Sequence, residues 1–246
     1  MSRTLGVMST KRSKFSGAPP KRRKATQQQQ IRRVKQLLGV EPKYFDVAVG
    51  FTIPASVDWS STEVGADMPQ IPEGDDIQSR NGRRISLTRV KFRGSVMTNA
   101  LTGQAALANP TTVRAVLVRN LAPKGVSVNG EDMLALNSGA AGNTSVAIHE
   151  FQSPASFGYA KIVDDVMFNL DVTAAVNNAA GTSVSIAVAE KSFSLSYTPK
   201  KPITIQYAGS GTAIPNTNSF NILVNAESVQ YAPTLQGVMR FYFTDA

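Results

Sequence analysis

The sequence of 246 residues predicts an all-β domain, residues 41–246, preceded by a basic arm, residues 1–40. Two observations predict the domain: apolar residues alternate with polar ones in one segment after another, and loops rich in Gly, Asn, Ser and Pro separate the segments. This combination is typical of a β-sandwich or jelly roll. The third observation is the charge. The arm holds 11 of the 26 Lys and Arg residues and no Asp or Glu, which leaves the rest of the chain at a net charge of −2.

The arm is predicted to be disordered up to about residue 30. A block of like charges with few aromatic or β-branched residues cannot bury enough apolar surface to offset the entropy lost on ordering. Apolar residues then recur at three- and four-residue spacing from Ile31 to Leu38. This spacing predicts one short amphipathic helix over residues 31–38, ended by Gly39 and Pro42.

The charge of the arm predicts that it binds nucleic acid. Its basic residues are Arg3, Lys11, Arg12, Lys14, Lys21, Arg22, Arg23, Lys24, Arg32, Arg33 and Lys35. Because Phe15 is the only aromatic residue of the arm, we expect sequence-tolerant and salt-dependent binding to phosphates rather than readout of bases. The clusters at residues 11–14 and 21–24 also match a nuclear import signal, and the two roles can coexist.

Alternation with a period of two predicts the strands of the domain. They are residues 45–53, 85–96, 113–118, 145–151, 159–170, 184–197, 203–207, 220–224 and 237–243. A phase slip near Thr88 and Arg89 predicts a β-bulge, and the segment 184–197 is expected to bend near Glu190 and Lys191. Residues 54–76 are predicted to form a loop, and residues 133–136 a second helical turn.

A second basic group starts before the long strand 85–96 and continues into it. Its members are Arg80, Arg83, Arg84, Arg89, Lys91 and Arg93. The last three are two residues apart, so they share one strand face, opposite Val90 and Phe92. This face is either a solvated surface with cross-strand ion pairs or a phosphate-binding surface that extends the arm, and the sequence leaves both readings open.

Residues for catalysis or metal binding are few. The chain has no cysteine and one histidine, His149, which we interpret as a polar strand or loop residue, and we therefore expect no enzyme. Asp75, Asp76, Asp164 and Asp165 are expected to be solvated turn residues. A structural calcium ion shared between subunits, at Asp75 and Asp245, is the alternative.

Nothing in the sequence predicts a membrane segment or a secretory signal. No run of about 18 residues is apolar enough to span a bilayer, and the charged start of the chain is not followed by an apolar region. We therefore expect a protein that is soluble and intracellular when made.

Several segments of the chain form a recognisable series: Ile-Pro-Glu-Gly-Asp-Asp-Ile at residues 71–77, Phe-Arg-Gly at 92–94, and residues 113–120, 159–170 and 241–246. Taken in order, they resemble the coat proteins of small icosahedral viruses. The family includes satellite viruses of the tobacco necrosis satellite type and circular single-stranded DNA viruses with Rep genes. The resemblance covers most of residues 31–246 and implies an eight-stranded single jelly roll that assembles into a small shell with its arms inside.

The leading hypothesis is therefore a coat protein, found in the virion and in the host nucleus during assembly, that packages a single-stranded genome through its arm. A homo-oligomer of about sixty copies, the T=1 shell, would place about 660 arm charges inside. The family uses both RNA and DNA, and we favour DNA. The alternative is a cellular nucleic-acid-binding β-barrel with a basic tail, which would need aromatic residues clustered on a β face, and the sequence shows no such cluster. A hydrolase or lectin would need a convergent polar site.

Overall fold

The computed structural model describes residues 41–53, 60–61, 68–98, 111–121, 128, 133–134, 151–170, 189–209, 213–227 and 233–246. All of them lie within the unit Val40–Ala246. The named elements among them are β-strands and one turn of 3-10 helix, Pro154–Ser156, and the predicted all-β class is confirmed. The basic arm lies outside the described residues, as does the helix predicted over residues 31–38.

The described strands form two antiparallel sheets. In chain order they are Lys43–Thr52 (β1), Ser60–Ser61 (β2), Arg84–Met97 (β3), Thr111–Asn120 (β4), Ala160–Leu170 (β5), Glu190–Tyr197 (β6), Ile203–Gln206 (β7), Ser219–Ala226 (β8) and Thr234–Asp245 (β9). The first sheet has the order β1-β9-β3-β6, and β7 pairs with β3 along the same edge as β6. The second sheet has the order β2-β8-β4-β5.

The strand pairs are nested along the chain. The innermost pair is β4 with β5, and around it β3 pairs with β6 and β7, β2 with β8, and β1 with β9. This is the pairing of one long hairpin. Because β9 also pairs with β3 and β8 also pairs with β4, the hairpin is wrapped into two sheets.

One hydrophobic core lies between the two sheets. Val90 and Phe92 of β3, Leu117 of β4 and Phe241 of β9 are completely buried in it. The ring of Phe220, from β8, lies 6.2 Å from that of Phe241, so aromatic contacts join the sheets. The first sheet buries only this side, which explains why its strands alternate between apolar and polar residues.

A pair of glycines allows Phe92 to lie flat on the first sheet. Gly94 and Gly237 are opposite each other in β3 and β9, and a Cβ atom on either would lie 2.5 Å from Cζ of Phe92. The Phe92 ring contacts Phe193 of β6 at 5.4 Å, and Phe193 in turn contacts Phe168 of β5 at 5.1 Å. Glycine is therefore required here by close packing rather than by a turn.

The second sheet is covered on both sides. A smaller cluster packs Val116 and Val118 of β4 against Met133, Leu134 and the first residue of β5. The segment around the 3-10 helix is tied to this cluster, because the amide of Ser153 donates to the carbonyl of Met133 at 2.7 Å. For this reason β4 is apolar on both faces and shows no alternation.

Most strands lie where the alternation predicts them, with ends that differ by a few residues. The β-bulge is confirmed, because the pairing of β3 with β9 shifts between Leu87 and Arg89. The prediction of an unbroken loop over residues 54–76 is wrong, since β2 lies within it. Three predictions fall wholly or partly outside the described residues. They are most of the strand 145–151, at 145–150, the first part of the strand 184–197, at 184–188, and the second half of the helical turn 133–136, at 135–136.

Candidate nucleic-acid interface

The eleven basic residues of the arm and His149 lie outside the described residues. The structure therefore places the second basic group and not the arm. Its six members separate into two sets according to burial: Arg80 is completely buried, whereas Arg83, Arg84, Arg89 and Arg93 are exposed and Lys91 is half-buried.

The predicted basic group has to be corrected at Arg80, because this residue is buried and is not part of an exposed basic surface. Its Nε donates to the carbonyl of Ile71 at 3.1 Å, its Nη1 to the carbonyl of Gly82, and its Nη2 to the carbonyl of Gly209 at 3.3 Å. Its guanidinium lies 4.2 Å from the centre of the Tyr207 ring. Arg80 thus joins the loop before β3 to the segment after β7, and it offers no surface to a phosphate.

Tyr207 shares the buried environment of Arg80. Its hydroxyl donates to the carbonyl of Pro69 at 3.2 Å. Burial raises the pKa of Tyr207 above its ordinary value of about 10, and the nearby charge of Arg80 opposes this rise only in part. A carboxylate oxygen of Glu73 lies 4.0 Å from Nη1 of Arg80 and supplies an acidic partner at the edge of this cluster.

Arg89, Lys91 and Arg93, here called the basic row, lie on the outer face of the first sheet. Their neighbours Val90 and Phe92 are completely buried, so the predicted alternation is confirmed. Among the residues that the structure describes, no acidic side chain forms an ion pair with the basic row. The reading of this face as a row of cross-strand ion pairs therefore does not hold for these three residues.

The neighbouring strands add two tyrosines to the same face. In the register of the sheet, Tyr44 of β1 is opposite Tyr242 of β9, and Tyr242 is opposite Arg89. Both tyrosines, here called the tyrosine pair, are half-buried. The expectation that no aromatic residues cluster on a β face is therefore wrong. The sequence does not show this pair, because the two tyrosines are almost 200 residues apart along the chain.

Arg240 lies beside the tyrosine pair in a fixed orientation. Its Nε and Nη2 donate to the two carboxylate oxygens of Asp46, each at 2.6 Å. Its guanidinium carbon lies 4.6 Å from the centre of the Tyr44 ring. Hydrogen bonding to Asp46 raises the pKa of Arg240 above its ordinary value, with a smaller contribution from Tyr242. We call the outer surface formed by the basic row, the tyrosine pair, Asp46 and Arg240 the basic face.

A shallow, open concavity lies at the end of the basic face that is marked by Arg93. It has a volume of about 680 Å³. Its polar side chains are Arg93, Ser95, Ser192, Ser194 and Gln236. Hydroxyl and amide groups of this kind hydrogen-bond to sugars, phosphates and base edges alike, so the concavity continues the polar surface without selecting one ligand.

Of the two candidate calcium ligands, Asp75 and Asp245, the second already has partners within the subunit. Asp75 is exposed in the loop before β3, whereas Asp245 forms an ion pair with the buried Lys43, with Oδ2 2.9 Å from Nζ. Oδ1 of Asp245 accepts a hydrogen bond from the amide of Asn81 at 3.0 Å. No group of three or more acidic or histidine side chains that could hold a metal ion occurs among the described residues. Calcium at a contact between subunits stays a prediction, and calcium titration of assembled particles should then raise their thermal stability.

The other acidic pair, Asp164 and Asp165, was expected in a solvated turn and lies instead within β5. Nε and Nη2 of Arg114 donate to the two carboxylate oxygens of Asp165, at 3.1 and 2.6 Å. Oδ2 of Asp164 accepts the amide of Ser196, in β6, at 2.5 Å. Both carboxylates therefore accept hydrogen bonds that join β5 to other strands.

The fold and the site together define an all-β protein of two antiparallel sheets with a basic, partly aromatic outer face. A scan against protein-family models and a search of the curated proteins each find no match to this chain. In the part of the chain that is described, no helix has the length and hydropathy needed to cross a membrane.

Proposed function

We propose that the chain is the coat protein of a small icosahedral virus, and that it self-assembles and packages a single-stranded genome. The order of the strands supports this proposal. If β6 and β7 are counted as one strand, because both pair with the same edge of β3, eight strands form two four-stranded sheets with nested pairing. Nested antiparallel pairing wrapped into two sheets is the arrangement of a jelly roll, the fold of many capsid proteins.

The distribution of charge supports a role in packaging. The arm carries 11 positive charges and no negative ones, whereas the remainder of the chain is close to neutral. Within that near-neutral remainder, the basic row has no acidic partner among the described residues. Phosphate binding by the basic row would therefore break no ion pair with the described residues.

The arm and the basic row would contribute in different ways. Lys and Arg side chains that neutralise phosphates release bound counterions, which gives binding that tolerates any sequence and weakens steeply with salt. The arm has the larger charge and no aromatic residue besides Phe15, so it supplies affinity without selectivity. The basic row is held on a sheet, so its three charges have a fixed spacing.

The first experiment measures assembly and cargo in the same preparation. The purified full chain should form closed shells in negative-stain microscopy, with an A260/A280 ratio typical of nucleoprotein, and nuclease treatment after disruption should identify RNA or DNA. A chain that stays monomeric or forms only small oligomers under all assembly conditions would contradict the proposal.

The second experiment removes most of the arm. Deletion of residues 1–30 takes away eight of the eleven positive charges of the arm and leaves the described residues unchanged. We expect shells that form but contain little nucleic acid, because the larger share of the phosphate-binding charge is gone. A truncated chain whose shells hold as much nucleic acid as those of the full chain would rule out packaging by the arm.

A second candidate function is a cellular single-strand-binding protein built on the same β fold, without a shell. The tyrosine pair favours this candidate, because aromatic rings on a basic β face are the usual platform for unpaired bases. The two candidates differ in oligomeric state. Size-exclusion chromatography with light scattering separates a monomer or dimer of 26.3 kDa subunits from a shell of many copies.

A further inference from the structure

We propose that the basic face is a stacking site for single-stranded nucleic acid. In this site unpaired bases stack on the tyrosine pair and on the guanidinium plane of Arg240, and the basic row binds the adjoining phosphates. The inference rests on the proposed nucleic-acid-binding function, which it extends by naming what this surface recognises.

The register of three strands places the rings beside the charges. Tyr44, Tyr242 and Arg89 occupy successive positions across β1, β9 and β3. Residues opposite each other on one face of a sheet have Cβ atoms about 5 Å apart. The two rings and the first cation of the basic row are therefore neighbours, and one nucleotide can contact a ring through its base and the cation through its phosphate.

Arg240 is oriented for stacking rather than for phosphate binding. Asp46 already accepts hydrogen bonds from its Nε and Nη2, and the side chain of Arg240 is 43% exposed. Its charge is thus partly neutralised, and the guanidinium is held over the Tyr44 ring while 43% of the side chain stays accessible. A guanidinium plane stacks on bases much as an aromatic ring does.

The basic row provides a regular series of phosphate contacts that leads away from the rings. Alternate residues of a strand repeat at about 6.6 Å, so its three cations extend over about 13 Å along β3. A flat sheet face reaches bases only where they are not already paired and stacked. The site should therefore select single strands over a duplex of equal length, whereas the arm should bind both.

The decisive measurement compares an oligonucleotide with a backbone that lacks bases. The full chain is titrated into fluorescently labelled single strands of about twelve nucleotides, with or without bases, at a salt concentration that weakens binding by the arm. We expect about tenfold tighter binding when bases are present, because stacking on an aromatic ring is worth about 1.4 kcal/mol per base, or one factor of ten. Equal affinity for the two strands would overturn the stacking site.

Variants assign the base dependence to the tyrosine pair. Tyr242→Leu and Tyr44→Leu should each lower the ratio of the two affinities by about threefold, and Tyr242→Phe and Tyr44→Phe should keep it, because the ring is retained. Tyr159→Leu is the matched control, since Tyr159 is exposed and precedes β5 in the other sheet. A ratio that falls equally in the control, or that falls in the Phe variants, would contradict the assignment.

A measurement on the unmodified protein does not depend on the folding of variants. Single strands that carry 5-bromodeoxyuridine are crosslinked by light to the full chain, and the modified peptides are identified by mass spectrometry. We expect crosslinks at Tyr44 or Tyr242, and crosslinks confined to residues 1–40 would overturn the stacking site while leaving the proposed function intact. A chain that binds no nucleic acid at low salt would instead refute the proposed function, and equal competition by polyglutamate would show general ion exchange in place of stacking.

Discussion

Arg80 is one of the largest side chains that are completely buried among the described residues, although it belongs to a run of basic residues in the sequence. Arg80→Met should lower the free energy of unfolding by about 3 kcal/mol, because the buried carbonyl of Ile71 and the less buried carbonyls of Gly82 and Gly209 would lose their donor. Urea denaturation measures the loss. Arg84→Met is the matched control, since Arg84 is exposed in β3 and should change stability by less than about 0.5 kcal/mol. Equal effects of the two substitutions would show that Arg80 is not a structural residue.

Gly94 supports a second prediction at the scale of one residue. In Gly94→Ala the new methyl group would fall on the carbonyl oxygen of Gln236 and 2.5 Å from Cζ of Phe92, and the backbone of a central strand cannot move away. We expect a loss of about 1–3 kcal/mol in thermal or urea unfolding. Gly50→Ala, in β1 of the same sheet, is the control, because its Cβ would meet only the Leu235 carbonyl, at 3.8 Å. A Gly94→Ala variant as stable as Gly50→Ala would contradict the packing of Phe92.

Tyr207 gives the protein a dependence on alkaline pH. Below pH 10 the phenol is protonated in both states, so its ionisation does not affect stability. Above pH 10 the unfolded chain releases this proton while the folded chain retains it, because burial raises the pKa of Tyr207, and stability falls by up to about 1.4 kcal/mol per pH unit. Urea unfolding at pH 9 and pH 11 should therefore show a smaller loss for Tyr207→Phe than for the wild type. The same loss in both proteins, or a reduced loss in the control Tyr159→Phe, would refute this origin.

At the scale of elements, Asp164 joins the edges of the two sheets. It lies in β5, the edge of the second sheet, and its Oδ2 accepts the amide of Ser196 in β6, the edge of the first. Asp164→Ala should cost about 0.5–1.5 kcal/mol and speed hydrogen exchange at the amide of Ser196, since this donor loses its acceptor to water. Asn169→Ala, at an exposed position of β5, is the control. Unchanged exchange at Ser196 in Asp164→Ala would show that the edges are held by other contacts.

The elements also show which features sequence patterns can predict. Alternation predicted the strands of the first sheet and the bulge at Thr88. One face of that sheet is exposed, so polar residues mark the exposed positions of each strand and apolar residues mark the buried ones. The strand β2 has two residues, too few for any period, and the cover over Val116 and Val118 of β4 comes from a distant segment. Such features depend on tertiary contacts that no local window contains.

The same limit applies to the candidate site. The basic row was predicted from spacing within one strand, and the structure places it on the expected face. The tyrosine pair could not be predicted, because it depends on the register of β1 with β9. Arg80 could not be separated from its exposed neighbours, because a run of charges does not show which member is buried against backbone carbonyls. The sequence did contain a signal for the tyrosine pair. One Tyr lies at the start of β1 and another near the end of β9, and both occupy strand positions that alternate with core residues.

At the scale of the whole molecule, the arm carries 11 of the 26 Lys and Arg residues, and the basic row carries three. The row nevertheless has a measurable share in binding if it contacts phosphates. Replacing Arg89, Lys91 and Arg93 by Gln should reduce the slope of log K against log salt by about 2, since each contact to a single strand contributes about 0.7.

A matched variant separates position from net charge. Lys161, Lys200 and Lys201 are exposed and lie outside the basic face, so changing them to Gln removes the same three charges from the molecule. We expect this control to bind labelled single strands with a slope within about 0.7 of the wild type, and both variants to unfold at the same urea concentration as the wild type within error. If the control lowers the slope as much as the variant of the basic row, overall charge rather than the basic face governs binding, and the face has no special role in holding the nucleic acid.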